Sequence, residues 1–185
     1  ALAQARPDAI FNVLFGPDLT AFVREGNTRG LFERRFVLSM LTGEPEYMIP
    51  LGDETPEGWV VTGYPWDQVE GSAHRAFVEA YRARFNDTPR KGSLLGYVTV
   101  QVLANLLNKA NSLDNEVLVD ALRDLSSDTV VGNVTMRGID QQGSMGTWVG
   151  ETTQRNGQGI MRNARYADGA DYMFPEEEVR AARRA

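Results

Sequence analysis

The run Asp8-Ala-Ile-Phe-Asn-Val-Leu-Phe-Gly-Pro-Asp-Leu-Thr-Ala-Phe-Val-Arg24 decides how the rest of this chain is read. Ala9 to Phe15 is a short apolar run rich in β-forming residues, and it predicts a strand buried on both faces. Gly16-Pro17-Asp18 breaks that run, and Asp18 is a suitable N-cap for the amphipathic segment that follows. Leu19, Phe22 and Val23 share one face of the predicted helix, and Gly30 is its expected stop. A strand that delivers its carboxyl end into a helix N-terminus is the unit on which open α/β proteins hang their ligand sites. Phe15 to Asp18 is therefore expected to form one lip of a binding cleft.

Downstream, Arg35 to Leu41 is a second apolar run of strand length, broken at Thr42-Gly43-Glu44-Pro45. Glu46 to Leu51 suits a single helical turn, and Trp59 to Tyr64 is a third strand stopped by Pro65. Strand, helix, strand, short helix, strand is a parallel α/β progression. The pattern then changes to three successive helices. The first carries Phe77, Tyr81 and Phe85. The second, Ser93 to Asn111, has Leu94, Val98, Val102, Leu106 and Ala110 on one face. Leu95, Leu103 and Leu107 widen that stripe and predict burial over much of its circumference. The third, Asn115 to Leu125, turns Leu118, Ala121, Leu122 and Leu125 inward. Strands are expected again at Thr129 to Met136, Met145 to Thr153 and Ile160 to Tyr166, the last two as a hairpin-like end. Three helices with no strand between them must form a small bundle or cover a sheet supplied by other sequence.

Composition narrows the function classes. The chain has 185 residues and a net charge of -6. Nucleic acid is a poor partner for that balance, since binding it needs a basic face to displace counterions. The terminal cluster Arg180, Arg183 and Arg184 follows Glu176 to Glu178, the arrangement that a helix dipole favours on a solvated terminal helix. No run is long and apolar enough to insert into a membrane. Without cysteine there is no disulfide, thiol nucleophile or thiolate metal site, and absence of cysteine does not fix the compartment. A single histidine, His74, leaves catalytic triads and histidine-based zinc sites little to work with, and its place beside Arg75 suits a surface residue. Neither a P-loop nor a G-x-G-x-x-G turn is present, and no G-x-S-x-G elbow. The acidic pairs Glu44/Glu46 and Asp53/Glu54 sit in polar loops, where solvated surface is the commoner role. No catalytic residue, metal site or cofactor is expected.

Tyr47, Trp59, Tyr64 and Trp66 concentrate aromatic area around the second and third strands. Packing is the commoner role for each. Tyr64 and Trp66 also flank the stretch from Trp66 to Glu70 where the α/β progression stops, which makes them candidates for a cleft wall or hinge. Trp148 is expected in the core. Ala1 to Arg6 has no initiator methionine and no signal-peptide core, and reads as a helix end running into Pro7. A processed or partial piece of a longer protein is the expectation.

Taken in order, these segments resemble the second lobe of periplasmic substrate-binding proteins of branched-chain amino acid ABC transporters. The residues that carry the likeness are Pro7-Asp-Ala-Ile-Phe, Phe15-Gly-Pro-Asp and Arg29-Gly-Leu31. They continue with Glu57-Gly-Trp-Val-Val-Thr-Gly-Tyr-Pro-Trp66, Phe77 to Phe85, Gly96-Tyr97, Asp140-Gln-Gln-Gly143 and Ala170-Asp-Tyr-Met-Phe-Pro175. The likeness runs over essentially the whole chain, and the order of segments rather than any single motif makes it. It implies a type I periplasmic-binding fold, a two-lobed parallel-sheet sandwich of which this chain is a fragment. Residues 1–65 would belong to the C-terminal lobe, 66–146 to the N-terminal lobe, and 147–185 to the C-terminal lobe and tail.

The same resemblance places ligand contacts at Phe15, Gly16, Pro17 and Asp18 and at Ser39, Met40, Leu41, Thr42 and Gly43, with Tyr64, Pro65 and Trp66 at a lobe crossing. Members that bind α-amino acids usually hold an acidic residue in the second loop, where this chain has Met40, and Phe15 stands where a tyrosine is common. A buried ammonium without a carboxylate is costly, so an apolar or aromatic carboxylate is an open alternative to an amino acid. The implied role is the non-enzymatic solute-binding component of a periplasmic importer, working with a membrane permease. A ligand-sensing regulatory domain of the same fold is the alternative.

Overall fold

The computed structural model describes residues 1–183. In chain order the elements are α1 (Leu2–Ala5), β1 (Ala9–Asn12), α2 (Gly16–Thr28), β2 (Phe36–Gly43), α3 (Pro45–Leu51), β3 (Val60–Gly63) and α4 (Ser72–Phe85). They continue with α5 (Lys91–Ala110), α6 (Asn115–Leu122), β4 (Leu125–Thr129), β5 (Gly132–Met136), β6 (Thr147–Arg155), β7 (Gln158–Ala167) and α7 (Glu176–Ala182). The chain divides into two compact units. One comprises Ala1–Gln68 and Thr147–Tyr166; the other comprises Val69–Gly146 and the tail from Ala167. The tail thus clusters with the second unit rather than with β6 and β7.

The first unit is organised by a five-stranded sheet in the order β1-β2-β3-β6-β7. β1, β2 and β3 are parallel, and β6 runs antiparallel to β3. Asn156 and Gly157, both at positive φ, make the two-residue turn between β6 and β7, as suits a hairpin of right-handed twist. Val37, Val61, Leu51 and Met161 fill the core together with Leu19 and Val23 from one face of α2. Phe32 lies edge-on to both Phe22 and Trp59, at 5.3 and 4.6 Å between centroids.

Two expectations for the opening run are corrected here. β1 is not buried on both faces: Ile10 and Asn12 point inward, while Ala9 and Phe11 are exposed, as is Phe36 of the neighbouring β2, on a face of the sheet that the unit leaves open. Phe15, not Asp18, is the N-cap of α2. Gly16, at φ +60°, and Pro17 start the helix early, and Asp18 sits in the first turn, where its charge complements the dipole.

The second unit packs α5 against α6 and β4, and the β4–β5 hairpin is its only two-stranded sheet among the described residues. Phe77 of α4 meets Tyr97 of α5 at 4.8 Å, and the Ser93 and Tyr81 hydroxyls lie 3.2 Å apart. Asn86 and Asn111 end α4 and α5 in the left-handed conformation. α5 is buried less than its stripe suggests. Leu94, Val98 and Leu106 are inside, but Leu95, Val100 and Leu103 are exposed, since the unit packs it from one side. α6 stops at Leu122, and Leu125 is buried as the first residue of β4. The expected strand from Thr129 to Met136 is instead the end of β4, a turn, and β5. The Thr129 hydroxyl bonds the carbonyl of Gly132 (2.7 Å), whose φ is +103°.

His74 is also corrected: it is 1% exposed rather than a surface residue, because it lies one turn ahead of Phe77 and Val78 on the inward face of α4. Burial pushes its pKa below the usual histidine value. Glu44 is buried too, not solvated. Trp148 is in the core as expected. α7 has the expected polarity, glutamates first and Arg180 last, and Arg184 lies outside the described residues.

Candidate ligand-binding loops

Parallel pairing aligns Asn12 of β1 with Ser39 of β2, so both strands end at the same edge of the sheet. The two stretches implicated from sequence, Phe15–Asp18 and Ser39–Gly43, are thereby neighbours at the carboxyl ends of adjacent strands. Beyond Ser39 the ladder slips. Ser39 pairs with Val61 and Gly43 with Gly63, so three residues of β2 face the single Thr62 of β3. The result is a bulge at Met40–Thr42, the device that re-aims side chains near sites.

This bulge is held by bonds within β2 and from β3 and the residue that follows it. The Ser39 and Thr42 hydroxyls share a hydrogen bond of 2.6 Å, and the Thr62 hydroxyl donates to the Met40 carbonyl. Tyr64 N–H donates to the Gly43 carbonyl at 3.3 Å. Ser39, Thr42 and Gly43 are consequently buried supports, Leu41 is half-buried, and Met40 is 43% exposed. Glycine is required where β2 and β3 close up. A Cβ on Gly63 would lie 2.1 Å from the Gly43 carbonyl oxygen, and one on Gly43 would lie 2.6 Å from that of Thr62.

The loop after β1 is fastened at both ends. Asn12 Oδ1 accepts the Leu14 N–H (2.9 Å), and its Nδ2 donates to Ser39 Oγ (3.0 Å). At the far end, the Tyr47 hydroxyl of α3 accepts the Gly16 N–H at 2.9 Å. Between these anchors Val13, Leu14 and Phe15 turn their side chains outward, Phe15 most of all at 73% exposure. Gly16 is half-buried, and Pro17 and Asp18 are exposed. Sequence reading passed over Asn12 and Tyr47 as site residues. The available signals were a lone amide inside an apolar run and a tyrosine within the aromatic concentration.

Tyr64 is fully buried, its ring 5.7 Å from that of Trp148, and burial raises its hydroxyl pKa above the ordinary tyrosine value. Pro65 is buried and Trp66 half-buried. In the second unit, a cavity of about 560 Å³ is lined by Arg123, Arg180 and Arg183 among others. Those arginines engage Asp120, Glu176 and the Ile139 carbonyl, so much of their charge is already matched. Among the described residues, no group of three histidine, cysteine or carboxylate side chains is placed to hold a metal, and no helix is long and apolar enough to cross a membrane.

Parallel strands presenting two fixed loops at their carboxyl ends are the geometry of an α/β ligand binder. Residues 1–158 match the family model described as periplasmic binding protein, and the chain belongs to that family. A curated relative, the leucine-, isoleucine-, valine-, threonine-, and alanine-binding protein of Pseudomonas aeruginosa, is 29% identical over 136 residues, 72% of this chain and 35% of the relative. A solute-binding protein of an ABC transporter from Rhodopseudomonas palustris, solved with 3,4-dihydroxybenzoic acid, superposes with a TM-score of 0.74 at 19% identity, covering 90% of this chain and 47% of that one. The closed form of a leucine-, isoleucine-, valine-, threonine-, and alanine-binding protein from Brucella ovis gives 0.74 at 18% identity, covering 93% and 46%. The structural likenesses establish the fold, a mixed α/β type I periplasmic-binding architecture of which this chain is a part. The chain spans less than half the length of each of these relatives.

Proposed function

We propose that this chain contributes part of the binding site of an ABC importer's solute-binding protein, without catalysis. In the whole protein the ligand would be held in an interlobe cleft, with Val13 to Asp18 and the Met40 bulge as this chain's share of the wall. Tyr64, Pro65 and Trp66 would form one lobe crossing, and residues 66–146 would correspond to N-terminal-lobe sequence. The partner implied is a membrane permease, and the compartment is the periplasm. The observation that carries this reading is the match of residues 1–158 to the periplasmic binding protein family, joined to two fixed loops at neighbouring strand ends.

For the ligand we favour an apolar or aromatic carboxylate over an α-amino acid. The apolar side chains that the two loops expose are Val13, Leu14, Phe15 and Met40, which suit an apolar body. Asp18 is exposed in the first turn of α2, and Glu44 is buried behind the bulge residues in the chain. Relatives of both kinds exist, with a benzoic acid bound in one and branched-chain and other small amino acids named for others. The test is thermal-shift screening of the protein, in the length its gene encodes, against benzoate, 4-hydroxybenzoate, leucine and valine. Binding to the native state alone raises the melting temperature by mass action. Aromatic acids are expected to shift it. A strong response to leucine alone would overturn the ligand assignment, and chemical turnover of any bound compound would overturn the binding role.

A further inference from the structure

The Asn12 side chain bonds to both candidate ligand loops. It closes β1, is 3% exposed, and is in register with Ser39 across the parallel ladder. Only one orientation of its amide satisfies both bonds. The Leu14 N–H can only donate, so Oδ1 must face it, and Nδ2 is thereby turned toward Ser39 Oγ. Ser39 passes the connection to Thr42 at 2.6 Å, so one chain of bonds runs from the backbone of the first loop to the far side of the bulge. Its three side chains, Asn12, Ser39 and Thr42, are uncharged and buried. An apolar residue would finish an edge strand at less desolvation cost, and a buried amide costs free energy unless its bonds are kept. What the amide adds is a fixed spacing between two loops that turn apolar side chains outward.

We propose that Asn12 is a positioning residue for ligand selection, acting through Leu14 on the first loop and through Ser39 and Thr42 on the bulge. It sets the distance between Phe15 and Met40, and Tyr47 holds the opposite end of the first loop through Gly16. This rests on the proposed binding role. Binding walls must be held within about 0.5 Å of the productive geometry by supporting hydrogen bonds, so a slack loop loses discrimination as well as affinity.

The test uses the protein in the length its gene encodes, with Asn12→Leu, Ser39→Ala and Ser39→Thr variants. Two readouts are taken: calorimetric affinity for benzoate and for leucine, and hydrogen exchange at the Leu14 amide. Asn12→Leu is expected to weaken the preferred ligand about tenfold or more and to narrow the ratio between the two ligands, since loop placement rather than contact is lost. Ser39→Ala should do the same more weakly, and Ser39→Thr, which keeps the hydroxyl, should restore both. Exchange at Leu14 should accelerate in the first variant without spreading to Ile10 or Val37, an effect that general destabilisation would not produce. Folded variants with wild-type affinity, ligand ratio and Leu14 exchange would overturn the proposal. If Asn12→Leu does not fold, the Ser39 pair decides it. If the wild type binds neither compound, the binding role as assigned here fails, while local exchange at Leu14 still decides whether Asn12 positions the loop.

Discussion

The two units of this chain fasten their irregular segments by opposite means. At the strand ends of the first, Asn12, Ser39, Thr42 and Tyr47 fix two loops with neutral hydrogen bonds. In the second, the tail is fastened through charge. Arg137, at the end of β5, donates to Asp140 at 2.9 Å and to the Phe174 carbonyl at 2.7 Å, with both side chains of the ion pair under one-fifth exposed. The Arg137 hydrogen bond, helped by the backbone N–H of Gln142, holds the Asp140 carboxyl at about 2, well below the usual carboxylate range. The difference is in how each tie responds to pH. Neutral bonds keep their geometry as pH changes; an ion pair is a stronger but conditional tie. The molecule also separates the two optically. Trp59, Trp66 and Trp148 all lie in the first unit, whereas the two longest helices, α4 and α5, lie in the second. Tryptophan fluorescence therefore follows one unit, and far-UV circular dichroism is weighted toward the other.

The largest expected effect breaks the first unit at its tightest point. Gly63→Ala drives a methyl into the Gly43 carbonyl across the ladder, where only backbone movement can relieve it. Overpacking of this kind should lower stability by about 3 kcal/mol, seen as an earlier fluorescence transition in urea. An unchanged fluorescence midpoint would mean that β2 and β3 part more easily than their register implies. Next comes the ionic tie. Arg137→Met removes the partner of Asp140 and the donor to Phe174, and should lower the dichroism midpoint at pH 7 more than the fluorescence midpoint. The sign of its pH dependence follows from a carboxyl depressed in the folded state. The stabilisation is present above the ordinary value of 3.8 and is lost as pH falls toward about 2. The wild type should lose helical stability across that window and Arg137→Met should lose less; parallel curves would show that the pair contributes nothing.

How far the sequence revealed this architecture depends on whether the deciding interaction was local. The order of strands and helices in residues 9–64, the ends of α4 and α5 at Asn86 and Asn111, and the glutamate-first polarity of α7 all follow from local patterns of apolar residues, caps and charges. Three of the failures share a non-local cause. Thr129 turning back on Gly132 split a run that looked like one strand, and only pairing with β4 makes β5 a strand at all. α5 has an apolar stripe wider than the partners its unit provides, so periodicity overstated its burial. The two loops at the strand ends were located from residue order. Their supports were not, because the Asn12–Ser39 and Gly16–Tyr47 bonds join residues 27 and 31 positions apart. Composition cannot show that a buried amide and a distant tyrosine fasten the same loop.

A smaller effect probes the neutral network alone. Thr42→Val is close in shape, removes one hydroxyl, and leaves Ser39 with its bond from Asn12, so a loss of about 1 kcal/mol in the fluorescence transition is expected. That loss should be the same at pH 5 and pH 8, since no titrating group takes part; a pH-dependent loss would contradict a neutral tie.

The smallest effect is the most discriminating, because it concerns a buried titrating group in the second unit. His74 is buried on α4 with its ring 6.1 Å from Phe77, and desolvation lowers its pKa from 6.5. The unfolded chain therefore takes up a proton at a higher pH than the folded one. Stability is unaffected above 6.5 and declines as pH falls below it, until the folded form also protonates. In His74→Gln, which cannot titrate, the dichroism midpoint should be flatter between pH 7.5 and pH 5.5 than in the wild type, roughly the span over which an ordinary histidine changes charge. The fluorescence midpoint should keep its wild-type pH dependence. If instead both signals change together in this variant, the two units unfold as one cooperative body, and the neutral and ionic ties must be compared as parts of a single stability rather than as separate devices.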